Sequence, residues 1–181
     1  MTPGVTRRAL LALAGLPFAA HAQPAPPPEV AAGVPQARLL GSGTLRFFGL
    51  QVYDARLWVG PRFDADAPAA APLGLELEYA RALAGHRIAE RSLVEMKRVD
   101  GIGPEQAERW LEAMRSLFPD VQPGDRLTGI NRPGEGLHFH LNATPIGALR
   151  EVEFARRFIA IWLGPQTSEP ALRRLLLGRA A

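Results

Sequence analysis

Arg38-Leu39-Leu40-Gly41-Ser42-Gly43-Thr44-Leu45-Arg46-Phe47-Phe48-Gly49-Leu50-Gln51-Val52-Tyr53-Asp54-Ala55-Arg56-Leu57-Trp58-Val59-Gly60 is the densest run of strand-type residues in the chain. Aromatic and β-branched residues suit a pleated, half-buried surface. Gly49 divides the run into one strand from about Arg38 to Phe48 and another from about Leu50 to Val59, joined by a bend or a tight hairpin. Gly60-Pro61 ends the second. Arg46, Tyr53 and Arg56 stand among its apolar residues, and a half-buried arginine needs a partner because an unpaired buried charge is strongly destabilising. Two kinds of partner fit. One is a carboxylate of the chain, such as Asp54 or Glu78; the other is a ligand carboxylate or phenolate, gripped bidentately with the Tyr53 hydroxyl beside it. Arg46, Tyr53 and Arg56 are therefore the candidate ligand-binding residues.

Downstream of this run the chain reads as its cover. Residues 64–72 form an alanine- and proline-rich loop, in which Asp64 and Asp66 lack the glycine and distal glutamate of a calcium-binding EF-hand. Leu73-Gly74-Leu75-Glu76-Leu77-Glu78-Tyr79 alternates strictly, which predicts a half-buried strand with its leucines and Tyr79 inward and Glu76 and Glu78 outward. A helix is expected from Ile88 to Val99, and a second one after Gly103-Pro104. In the second, Ala107, Trp110, Leu111, Met114, Leu117 and Phe118 fall on one apolar stripe, made to lie on a sheet.

Arg126 to Asn131 and Leu137 to Leu141 read as a hairpin across residues 132–136, with Leu137, Phe139 and Leu141 on one face and His138 and His140 on the other. Val152 to Leu163 is a helix that buries Phe154, Phe158, Ile161 and Trp162 and ends at Gly164-Pro165. A last helix, capped by Ser168 with Pro170 in its first turn, carries Leu172, Leu175 and Leu176 and stops at Gly178. Strands, helices, hairpin, helices is the order of an α+β fold, an antiparallel sheet covered on one face by a helical layer.

With 181 residues, 47% of them hydrophobic, the chain suits one domain with a real core. Residues 1–22 read as a signal peptide: Arg7-Arg8, an apolar stretch from Ala9 to Ala20, and Ala20-His21-Ala22 as an A-x-A cleavage site. Residues 23–36, rich in proline and alanine, read as an extended polyproline linker, and residues 37–181 as the folded domain. The mature protein is thus expected in the periplasm, exported by Sec or, as the paired arginines allow, by the twin-arginine route. No later stretch approaches the roughly 18 to 20 apolar residues of a spanning helix, so no integral membrane segment is expected after cleavage. No cysteine is present, so packing and not a disulfide framework must hold the fold.

Loss of Arg7 and Arg8 takes the formal charge from +3 to +1. Only Lys97 among the basic residues is lysine, and no basic run exceeds two residues, which argues against a nucleic-acid footprint. His138 and His140 share a strand face at a spacing that can chelate zinc, but the local sequence supplies no third ligand, and no metal is assigned. No G-x-S-x-G elbow occurs, and Gly41-Ser42-Gly43 fails the dinucleotide fingerprint because Arg46 stands where a third glycine is required. No cofactor is expected.

The quoted run through Trp58, then Leu75-Glu76-Leu77-Glu78-Tyr79, Arg91-Ser92-Leu93-Val94-Glu95-Met96, Pro123-Gly124-Asp125-Arg126-Leu127 and Phe158-Ile159-Ala160-Ile161-Trp162-Leu163-Gly164, with Leu172-Arg173 and Leu176-Leu177-Gly178, resembles the bacterial exported chalcone isomerase-like family. The resemblance covers nearly all of the mature chain in order, and it implies the open-faced β-sandwich of chalcone isomerases. For activity it implies three alternatives. The first is non-enzymatic binding of a fatty acid or similar apolar acid between sheet and helices, with arginine and tyrosine at the carboxylate. The second is an isomerase, an intramolecular lyase acting on a phenolic or enone substrate; the third is a structural or partner-binding envelope module. For the isomerase, Arg46 would stand in for the early-strand arginine, whereas relatives with a Gly-x-Gly-x-Arg pattern would carry theirs at Leu45, and Lys97 matches no lysine motif. The catalytic set is not recoverable from the sequence.

Overall fold

In the computed structural model, residues 24–99 and 101–179 are described. The cleavage site expected after residue 22 lies outside them. Six strands run β1 (Arg38–Phe47), β2 (Leu50–Val59), β3 (Leu73–Tyr79), β4 (Arg126–Arg132), β5 (Gly136–Leu141) and β6 (Thr144–Leu149). Each pairs antiparallel with the next, so the described sheet is a meander in chain order. Period-two alternation builds it: Tyr53, Ala55, Leu57 and Val59 of β2 and Leu73, Leu75, Leu77 and Tyr79 of β3 all enter the main core. β6 was not anticipated: it contains Pro145 and Gly147, residue types that disfavour strand interiors. Both are tolerated at the edge of the described sheet, where β6 pairs on one side only.

Over that face lie α2 (Gly85–Met96), α3 (Pro104–Leu117), α4 (Val152–Leu163) and α5 (Pro170–Leu176). α2 begins three residues earlier than Ile88; its first N–H donates to the Asp120 carboxylate at 2.8 Å. The predicted α3 stripe closes the core with Ala107, Trp110, Met114 and Phe118, and α4 adds Phe154, Phe158 and Trp162. α5 lies against β1 so closely that a Cβ at Gly41 would sit 2.1 Å from the Leu175 carbonyl oxygen. The expected Ser168 cap is absent: Glu169 occupies the cap position without a side-chain bond, and its N–H donates to Thr167 Oγ1 at 3.1 Å.

The opposite face of the sheet departs from expectation in two linked ways. Residues 28–33 are not extended polyproline: α1 (Pro28–Gly33) is a short helix, begun by a proline whose missing N–H costs nothing at that position. It packs on β3 and β4, where Val30 and Val34 join Trp58 and Ile130 in a second, small apolar cluster. Glu76, expected outward in solvent, is accordingly only 2% exposed. Its carboxylate accepts hydrogen bonds from Trp58 Nε1 at 2.8 Å and Arg56 Nη1 at 2.8 Å, so the buried charge is paired.

Candidate ligand-binding site

Between the sheet and the helices a cavity of about 340 Å³ lies over the ends of β2 and β3. Its floor is Val52, Tyr53, Leu77 and Tyr79; its roof is Ile88 and Ser92 of α2 and Phe158, Ile161 and Trp162 of α4. Leu45 and Phe47 of β1 close one side, while the exposed side chains of Arg81 and Arg87 mark where it opens.

Tyr53 and Tyr79 are partners across β2 and β3, with rings 5.8 Å apart edge to face. Trp162 Nε1 donates to the Tyr53 hydroxyl at 2.9 Å. Burial pushes the Tyr53 phenol up to about 12 despite the opposing effect of the Trp162 bond. Burial raises Tyr79 as well, and the neighbouring Tyr53 adds to the effect. Both phenols therefore keep their protons near neutral pH. With Trp162 occupying an acceptor site on Tyr53, the Tyr53 proton remains available for donation.

Arg87, Arg91 and Glu95 are spaced four apart along α2, so they share the face that borders the cavity. Arg91 Nη2 pairs with Glu95 Oε1 at 2.5 Å. Glu95 is buried, its Oε2 without a hydrogen bond and 3.8 Å from Arg98 Nε. Arg81 and Arg87, in contrast, form no close ion pair among the described residues, although Glu90, three residues along α2, lies near enough to feel the charge of Arg87; two exposed cations thus stand at the opening.

Of the three residues singled out in the sequence, only Tyr53 lines this cavity. Arg56 is on the other face of the sheet, held by Glu76 at 2.8 Å and Glu78 at 2.9 Å, the internal partner that a half-buried arginine requires. Arg46 is exposed near the end of β1, outside the lining. Sequence reasoning missed Tyr79, Arg81, Arg87 and Arg91. The four-residue spacing of Arg87, Arg91 and Glu95 was the signal available, but it reads equally well as a solvated helix face until the helix is docked.

His138 and His140 do share a face, the one opposite the cavity. His138 Nε2 contacts Glu135 Oε1 at 2.8 Å, while His140 Nδ1 is buried without a partner and its pKa is lowered by desolvation. No group of histidine and carboxylate side chains arranged to hold a metal ion occurs among the described residues.

An antiparallel sheet with a helical layer on one face and an apolar cavity between them makes an α+β domain of the open-faced sandwich class. Residues 22–178 match the family model described as chalcone isomerase-like, and the chain belongs to that family. It is 32% identical over 108 residues to an uncharacterized protein of Haemophilus influenzae, an alignment covering 60% of this chain and 52% of that one. The match thus spans about half the length of that relative. The crystal structure of a fatty-acid binding protein of Arabidopsis thaliana superposes with a TM-score of 0.62 at 14% identity, covering 80% of this chain and 88% of the other. At that identity the likeness is one of fold.

Proposed function

We propose that this protein binds a fatty acid or similar apolar acid in the cavity between sheet and helices, without chemical conversion. The observation that carries the reading is the cavity itself. Its volume of about 340 Å³ falls at the lower end of the range of small-molecule sites, and its wall is mostly apolar side chains and protonated phenols, with the Arg91–Glu95 pair on α2 and with Arg81 and Arg87 at the opening. The apolar chain lies inward over Tyr53, Leu77 and Trp162, and the carboxylate faces Arg81 and Arg87, which are exposed and form no close ion pair among the described residues. Arg91 is already balanced by Glu95, whose own charge disfavours a second carboxylate deeper in the pocket. Phenols that hold their protons far above neutral pH donate hydrogen bonds and do not abstract protons. The fatty-acid binding of the structurally similar Arabidopsis protein is consistent with this use of the fold.

Native mass spectrometry of the purified protein tests the reading directly: a co-purifying acid of discrete mass is expected, and an empty cavity with no affinity across a panel of fatty acids would sink it. The placement of the head group has its own check. Arg81→Ala with Arg87→Ala is expected to weaken binding of a long-chain carboxylate by about tenfold or more, the size of a lost charge-assisted contact, while leaving the corresponding alcohol nearly unaffected. Equal losses for acid and alcohol would place the carboxylate elsewhere. We also propose periplasmic residence through the leader at residues 1–22. Recovery of the mature protein by osmotic shock supports it, and retention of the leader in cytoplasmic protein would refute it.

A further inference from the structure

The tip of the β1–β2 hairpin is built against the ordinary rules for such turns. Phe47 pairs with Leu50, which leaves Phe48 and Gly49 as a two-residue turn with φ of 48° and 77°. Both values are left-handed, the geometry of a type I′ turn, whose first position favours asparagine, aspartate or glycine and strains a bulky side chain. Phe48 nevertheless occupies it and is 90% exposed, with Phe47 and Leu50 each 57% exposed beside it. The two phenyl rings pack edge to face at 4.5 Å, so the tip presents one aromatic wedge and not scattered side chains. Neither strand pairing nor core packing requires Phe48 to be apolar.

Two further observations say what covers this wedge. Phe47 is both part of the tip and part of the cavity wall, so the wedge stands at the opening through which an apolar ligand must pass. The surroundings are basic: Arg46 precedes Phe47 in β1, Arg81 and Arg87 line the same opening, all three are exposed, and none forms an ion pair among the described residues. The acidic groups near this opening are Glu95, buried against Arg91, Glu169, half-buried at the start of α5, and Glu90, which is paired with Arg115 at 2.7 Å and also feels the charge of Arg87. Exposed aromatics flanked by exposed arginines that form no close ion pair are complementary to a surface that is apolar inside and anionic outside.

We infer that the Phe47-Phe48-Gly49-Leu50 hairpin tip docks on an anionic lipid bilayer, the phenyl rings entering the interface and Arg46, Arg81 and Arg87 meeting the head groups. Docking turns the cavity opening toward the bilayer, so that an apolar molecule exchanges between membrane and protein without crossing water. The membrane contact is independent of which molecule fills the cavity and is measurable without one.

Flotation of the full chain with vesicles of phosphatidylglycerol and phosphatidylethanolamine, against vesicles of phosphatidylcholine alone, tests it. The protein is expected to float with the anionic vesicles, less so as salt is raised, and to stay behind with the neutral ones. Phe48→Asn is the informative variant, because it places an Asn-Gly pair at a type I′ turn and so favours the fold. Its vesicle affinity is expected to fall by about tenfold or more, with unchanged fatty-acid binding in detergent-free buffer. Phe48→Trp gives a second readout, a blue-shifted emission on anionic vesicles. Three results would each overturn the inference: no flotation at any composition, flotation that Phe48→Asn does not weaken, or self-association that Phe48→Asn abolishes in the absence of vesicle binding. The last would make the wedge a contact between copies of the chain.

Discussion

Tyr53 and Tyr79 are the two tyrosines of the chain, so the phenolic absorbance of the folded protein reports the cavity floor directly. With Tyr53 raised to about 12 and Tyr79 also raised, the step near 295 nm should be absent around pH 10 and appear only at higher pH or on unfolding. A phenol whose folded pKa lies above its unfolded value stabilises the fold fully below the unfolded value. That contribution is lost as pH rises toward the folded one. Tyr53 alone should then remove about 3 kcal/mol of stability between about pH 10 and pH 12. An ordinary tyrosine titration in the native protein would contradict this.

Arg56 makes a second prediction at the same scale. Removing it leaves the buried Glu76 carboxylate with Trp58 Nε1 as its remaining hydrogen-bond donor, so Arg56→Met should cost about 2 kcal/mol in urea unfolding. Adding Glu76→Gln should restore part of that loss. Fatty-acid affinity should stay unchanged in both variants, because the pair lies on the face away from the cavity; a change in affinity would place Arg56 in the site after all. The alternation around Arg56 was legible in the sequence, since a half-buried arginine on a strand must find a carboxylate. Of the two carboxylates the sequence offered, Glu78 does pair with Arg56 at 2.9 Å, whereas Asp54 accepts from Thr44 and Gln51; the second partner, Glu76, was selected by strand register.

Among the elements, α1 and the β1–α5 contact depend most on tertiary context. Six residues are too few for a stable isolated helix, so α1 persists by burying Val30 and Val34 against Trp58 and Ile130. Val30→Ala should lower stability by about 2 kcal/mol in chemical denaturation, and an unchanged midpoint would mean that α1 is detached in solution. Gly41→Ala is expected to be worse than its size suggests, because the new methyl would meet the Leu175 backbone and must displace α5 from β1. A protease-resistant α5 with native stability would contradict that. β2, β3, β4, α3 and α4 were readable from periodicity because each buries one regular face. α1 and β6 were not, since proline in the one and proline with glycine in the other signal breaks that their settings tolerate.

For the molecule as a whole, cavity and core are one structure: Tyr53, Tyr79, Phe158 and Trp162 belong to both. Filling the cavity should therefore raise the unfolding temperature. At about one hundred times its dissociation constant, a bound fatty acid adds about 2.7 kcal/mol, or a shift of roughly 5 to 10 °C for a chain of this size. Calorimetry with and without ligand measures it, and a flat response to a ligand shown to bind would mean that it sits outside the core. No helix among the described residues is long and apolar enough to cross a membrane.

The class of fold and the cover of one face by helices followed from hydrophobic spacing, because period two and period 3.6 are local properties of the chain. The site did not follow in the same way. Arg46, Tyr53 and Arg56 are close in sequence, yet strand pleat sends Arg56 to one face and Tyr53 to the other, and Arg46 remains exposed beyond the cavity. The arginines at the opening come from the β3–α2 connection and the first turn of α2, brought beside β1 and β2 by packing over long sequence separations. Side-chain direction along a strand is written in its residues; what stands opposite that side chain depends on register and helix docking, which are set by the whole core at once.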